Sequence, residues 1–103
     1  MAMEKDILLL GADEKILKSY YRVLAENSYS VRCVKSMYEA RIYLAKHHPK
    51  LFVIGDDWCG ASARFIYDSM VNLLRETGVQ AIVIEEALFD NELIERVKRA
   101  LES

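Results

Sequence analysis

The feature that most constrains this chain is a set of short, wholly apolar runs. Ile7-Leu8-Leu9-Leu10 ends at Gly11, Leu51-Phe52-Val53-Ile54 ends at Gly55, and Ala81-Ile82-Val83-Ile84 runs into Glu85. A strand with water on one side alternates apolar and polar residues. A strand apolar at every position needs cover on both faces, as in a parallel sheet between helices. Tyr29 to Lys35 is β-branched and only partly apolar, which suits a strand nearer a sheet edge.

Helical patterns fill the intervals. Asp13 offers an N-cap, after which Ile16, Leu17, Tyr20, Val23 and Leu24 recur at helical spacing until Asn27-Ser28. Ser36-Met37-Tyr38-Glu39 is a capping box, in which hydroxyl and carboxylate satisfy orphan backbone donors, and Pro49 ends the helix it opens. From about Ser62, residues Phe65, Ile66, Met70, Leu73 and Leu74 mark a third helix stopped at Thr77-Gly78. Asp90 is expected to cap the last helix, with Phe89 and Ile94 as its hydrophobic staple and Leu93, Val97, Ala100 and Leu101 as its buried stripe. Strands alternating with helices across short connections imply right-handed crossovers and a single three-layer α/β domain over residues 1–103.

The composition narrows the function classes. Net charge is −2 with both signs interspersed, so no basic face for nucleic acid or anionic membrane is expected. No apolar stretch approaches the roughly 18 residues of a membrane span, and the charged start lacks the pattern of a secretory leader, so a cytoplasmic location is expected. Cys33 and Cys59 lack the paired spacing of a metal knuckle and read as reduced thiols. No metal or other cofactor is expected.

Val23-Leu24-Ala25-Glu26-Asn27-Ser28-Tyr29-Ser30-Val31, then Glu39-Ala40-Arg41, then Pro49-Lys50-Leu51-Phe52-Val53-Ile54-Gly55 resemble the first half of a two-component response-regulator receiver domain. Leu88-Phe89-Asp90-Asn91-Glu92-Leu93 is similar to the segment opening that family's last helix. The resemblance implies a flavodoxin- or CheY-like α/β/α fold with a central parallel sheet. Counted from Gly78, the chain is too short for five strands and five helices, so a sheet shortened to four strands is expected.

Receivers hold Mg²⁺ on an acidic pair after the first strand, because a hard cation takes oxygen ligands, and accept phosphate on an Asp at the end of the third. In register, the pair falls on Gly11 and Ala12 and the phosphoacceptor on Gly55. The family's Thr or Ser after the fourth strand aligns with Glu85, whose charge would repel phosphate, and its Lys with Ala87. The resemblance thus implies a receiver without its phosphorylation pocket. An alternative keeps the acids by a shift: Asp13, Asp56 and Asp57 lie near the same sheet edge, where such folds bind ligands, although Asp13 also serves as a helix cap.

Trp58-Cys59-Gly60-Ala61-Ser62 resembles a thioredoxin motif with its second Cys replaced by Ser, and a helix N-terminus there would activate Cys59. Against that redox reading, Pro49 precedes the strand instead of facing the motif, and two strand-helix units stand before it. His47-His48 points two ways on a helix, has no partner at ligand spacing, and suits the negative C-terminal end of a helix dipole. Tyr20, Tyr21, Tyr38 and Tyr43 read mostly as packing residues. On the last helix, Glu92, Glu95, Arg96, Lys98, Arg99 and Glu102 mix both signs one turn apart, as on a solvated face. With no phosphate loop or catalytic triad pattern, the expectation is a non-enzymatic module. Its expected partners are another protein, an output domain of a larger signalling or transcription regulator, and a second copy through the strand Ala81 to Ile84.

Overall fold

The computed structural model describes residues 6–11, 13–55, 63–84 and 88–102. Strands and helices alternate along them: β1 (Ile7–Leu10), α1 (Glu14–Glu26), β2 (Val31–Val34), α2 (Met37–Lys46), β3 (Leu51–Ile54), α3 (Ala63–Thr77), β4 (Gln80–Val83) and α4 (Asp90–Glu102). The four strands form one parallel sheet in the order β2-β1-β3-β4. The sheet covered on both faces is the one the apolar runs predict, and the flavodoxin-like, four-stranded α/β/α architecture is the one implied by the resemblance and the chain length.

The central strands explain why those runs do not alternate. Ile7, Leu9, Leu51 and Val53 enter a core shared with α1 and α4, while Leu8, Leu10, Phe52 and Ile54 enter one shared with α2 and α3. All eight are fully or almost fully buried. Each such side chain contributes roughly 1.5–3 kcal/mol of transfer free energy, so the two central strands carry much of the fold's stability. β2 and β4 lie at the edges and are less covered.

Local signals set most of the helix ends. The Asp13 carboxylate accepts the backbone N–H groups of Lys15 (2.9 Å) and Ile16 (3.2 Å), and Ser36 Oγ accepts that of Glu39 (3.2 Å). The returning Glu39 carboxylate binds the N–H of Lys35 at 2.8 Å, one residue before the cap, so the box closes on the neighbour of Ser36. Gly78, with φ of +74°, ends α3 in the left-handed conformation that glycine adopts without steric cost. His47 caps the C-terminus of α2 and stacks on Tyr43, while His48 Nε2 bonds the Thr77 carbonyl at 2.7 Å, tying this loop to the end of α3.

β2 is shorter than the expected Tyr29 to Lys35 strand, and β4 and the cap of α4 are shifted by one residue from the sequence reading. β4 begins at Gln80 because its ladder pairs Leu51 with Gln80, and pairing, not apolarity, sets a strand's ends. At α4, Phe89 occupies the cap position: its carbonyl accepts the N–H of Leu93 (3.0 Å), and Glu92 reaches back to its N–H (3.0 Å). Asp90 is instead the first helical residue, where its charge still favours the helix dipole. The expected staple shifts accordingly. Phe89 is 78% exposed, and it is Leu88 and Leu93 that join the core.

Candidate functional site

Parallel ladders extend one residue past the strands at the sheet's C-terminal edge. Gly11 N–H donates to the Val34 carbonyl (3.0 Å), Gly55 N–H to Leu10 (2.9 Å) and Ile84 N–H to Ile54 (2.9 Å). Gly11 and Gly55 therefore lie at corresponding levels after adjacent strands, where open α/β sheets present ligand-binding groups.

Neither position offers a functional side chain, and packing has closed around them. A Cβ on Gly11 would stand 2.9 Å from Leu17 Cδ1 and 3.4 Å from Leu17 Cβ, and Leu17 is itself a buried core residue of α1. A Cβ on Gly55 would meet the Leu10 carbonyl oxygen at 3.1 Å, tighter than ordinary contact. An apolar side chain thus covers one glycine and main chain crowds the other.

The described acids that follow β1 have other partners. Asp13 spends its carboxylate on the first turn of α1. Glu14 pairs with Lys35 Nζ at 2.7 Å across the mouth of this edge; the ammonium holds the Glu14 carboxyl below its ordinary value and is itself raised by it. Both groups are exposed, so solvent screens the pair. No group of three His, Cys, Asp or Glu able to hold a metal exists among the described residues. The described donors therefore do not fit the Mg²⁺ of a receiver, because a hard cation needs several oxygen ligands and the described carboxylates after β1, those of Asp13 and Glu14, are committed to the α1 cap and to Lys35. Of the other sequence-derived positions, Ala12, Glu85, Ala87, Asp56, Asp57 and Cys59 lie outside the described residues.

Two contacts were not legible in the sequence. The Tyr20 hydroxyl, buried between α1 and the sheet, accepts the Leu88 N–H at 3.1 Å and so anchors the lead-in to α4. Arg96, grouped by sequence with the solvated face of α4, instead turns to the sheet and donates to the Val83 carbonyl of β4 at 2.9 Å. The rest of that face behaves as expected, with Arg99 and Glu95 paired at 2.8 Å. No described helix is long and apolar enough to cross a membrane.

No family model and no curated protein matches the sequence. Solved structures do match. A CheY-like response regulator receiver domain protein of Methanospirillum hungatei superposes with a TM-score of 0.74 at 17% identity, over 97% of this chain and 95% of that one. The receiver domain of a signal transduction histidine kinase from Syntrophus aciditrophicus gives 0.70 at 17% identity, over 95% and 90%. NtrX of Brucella abortus gives 0.74 at 19% identity over 97% of this chain but 27% of its own, so there the matching unit is one part of a longer protein. Identities this low leave the chemistry to be argued from the residues. What the superpositions establish is that the chain has the fold of CheY-like receiver domains, with a four-stranded sheet.

Proposed function

We propose that this domain acts in signal transduction as an atypical receiver, a regulatory or dimerisation module of a larger signalling or transcription regulator that works without aspartyl phosphorylation. The observation that carries this reading is the pair Gly11 and Gly55, with Leu17 packed where a carboxylate on the first would stand. Such a domain has no catalytic step to perform. It communicates by presenting a surface, and its partner is another protein or a joined output domain.

A second copy is the proposed partner of the β4 edge. Gln80 is exposed and Ala81, Ile82 and Val83 are only part-buried; among the described residues no strand pairs with this edge, although Arg96 takes the Val83 carbonyl, and an edge strand of this kind invites pairing. Sedimentation over a range of concentrations should show self-association that a lysine at Ile82 weakens; a strict monomer throughout removes this part of the proposal.

The phosphorylation part is tested with acetyl phosphate and Mg²⁺, followed by intact mass. The expected mass is unchanged. A covalent adduct mapped to Asp56 or Asp57 would replace this reading with that of a receiver whose acceptor has shifted. A Cys59 thiol titrating well below the free value of about 8.5 would favour the redox alternative instead.

A further inference from the structure

The opposite edge of the sheet, β2, has a different character. Ser30 and Val34 direct their carbonyls to β1, accepting from Ile7 and Gly11, so the alternate residues Val31 and Cys33 turn their N–H and C=O groups outward. No strand pairs with them among the described residues, because β2 ends the sheet. Two grooves flank this bare edge, and Cys33 borders both. On the α2 side a groove of about 560 Å³ includes Arg32, Lys35, Ile42 and Lys46 together with Glu39, whose carboxylate is held by the Lys35 N–H; on the α1 side one of about 290 Å³ is formed with Leu17, Lys18 and Tyr21.

Charge alone is a common device for keeping an edge strand from pairing. It does not account for the apolar surface beside it. Tyr21 and Ile42, one on each side of the edge, are 46% and 43% exposed, and exposed apolar groups beside open backbone favour a docked strand. We propose that the β2 edge is a docking site for an extended acidic segment of a partner protein. That segment adds as a strand to β2, bonds its main chain to Val31 and Cys33, sets the acidic side chains of one face toward Arg32 and Lys46, and covers Tyr21 with the apolar side chains of the other.

Charge complementarity selects this occupant over a second copy. Pairing β2 with itself would bring Arg32 and Lys46 of both copies to one seam, Lys35 being paired with Glu14, and like charges juxtaposed at an interface disfavour the match. The site lies on the far side of the sheet from the β4 edge and does not involve Gly11 or Gly55, so it stands or falls separately from the reading above.

The test uses the whole chain and a synthetic peptide of alternating Glu and Val, with binding followed by amide shifts and titration calorimetry. Saturable shifts centred on Val31 and Cys33 are expected. The double variant Arg32→Glu, Lys46→Glu, both at exposed positions, should weaken binding at least tenfold. N-methylation of alternate peptide amides, which removes main-chain donors and leaves both the protein and the peptide charge intact, should abolish it. The proposal is overturned by no binding, by an N-methylated peptide that binds equally well, by shifts confined to Gln80–Val83, by equal binding of an RNA oligonucleotide, or by concentration-dependent shifts at Val31 and Cys33 without peptide.

Discussion

The two ends of the sheet are built from opposite materials. At the N-terminal end, Asp6 is a polar hub: its N–H donates to Ser30 Oγ (2.9 Å), its carboxylate accepts the Ser30 N–H (3.3 Å) and approaches Lys50 Nζ (3.5 Å), and its carbonyl accepts the N–H groups of Lys50 (2.9 Å) and Leu51 (3.1 Å). One residue thereby ties the starts of β1, β2 and β3 together. At the C-terminal end the corresponding positions are glycines, closed by Leu17 and by the Leu10 carbonyl. Polar side chains hold the N-terminal end, while at the C-terminal end, where open α/β sheets place ligands, apolar and main-chain atoms crowd the two glycines.

That contrast can be broken by placing an acid at the C-terminal end. Gly11→Asp should be the most disruptive change, because its Cβ meets Leu17 and its carboxylate loses water without gaining a described partner. A loss of about 2–4 kcal/mol is expected at pH 7, read from urea denaturation. Desolvation would raise the new carboxyl's pKa, so the deficit relative to the parent should shrink as pH falls and the group protonates. A variant as stable as the parent, or one stabilised by Mg²⁺, would show that the C-terminal end still has room for chemistry.

Asp6→Ala tests the other end. It removes the acceptor for the Ser30 N–H while the main-chain bonds of residue 6 persist, and should cost about 1–2 kcal/mol with faster hydrogen exchange at Ser30. Tyr20→Phe keeps the ring in the core and deletes only the acceptor for Leu88, which predicts a loss of about 0.5–1.5 kcal/mol and faster exchange at Leu88. Lys35→Gln should have the smallest effect, since its exposed pair with Glu14 is screened, and no change in Tm is expected in ordinary salt. What the pair contributes is present above the ordinary Glu value of 4.5 and is lost as pH falls through the lowered pKa of Glu14.

Much of the fold was legible because its signal is local. Runs such as Ile7 to Leu10 declare two-sided burial, and Asp13, Ser36 and Gly78 mark helix ends by chemistry that acts within a few residues. The errors arose where a tertiary contact decides. Asp90 is as good a cap in sequence as any, yet Phe89 takes the position because Leu88 and Leu93 are drawn into the core. The site was half legible. That glycines follow β1 and β3 can be read from a sequence, whereas Leu17 filling the space beside Gly11 and Arg96 reaching Val83 depend on elements brought together only by folding.

The most direct test of the central claim is an amide-shift titration of the whole chain with Mg²⁺ and beryllofluoride, which together mimic a phosphorylated receiver. The Gly11, Gly55 and Ile84 resonances are expected to stay in place across the titration. Saturable movement of those three amides, requiring both the cation and beryllofluoride, would contradict that claim.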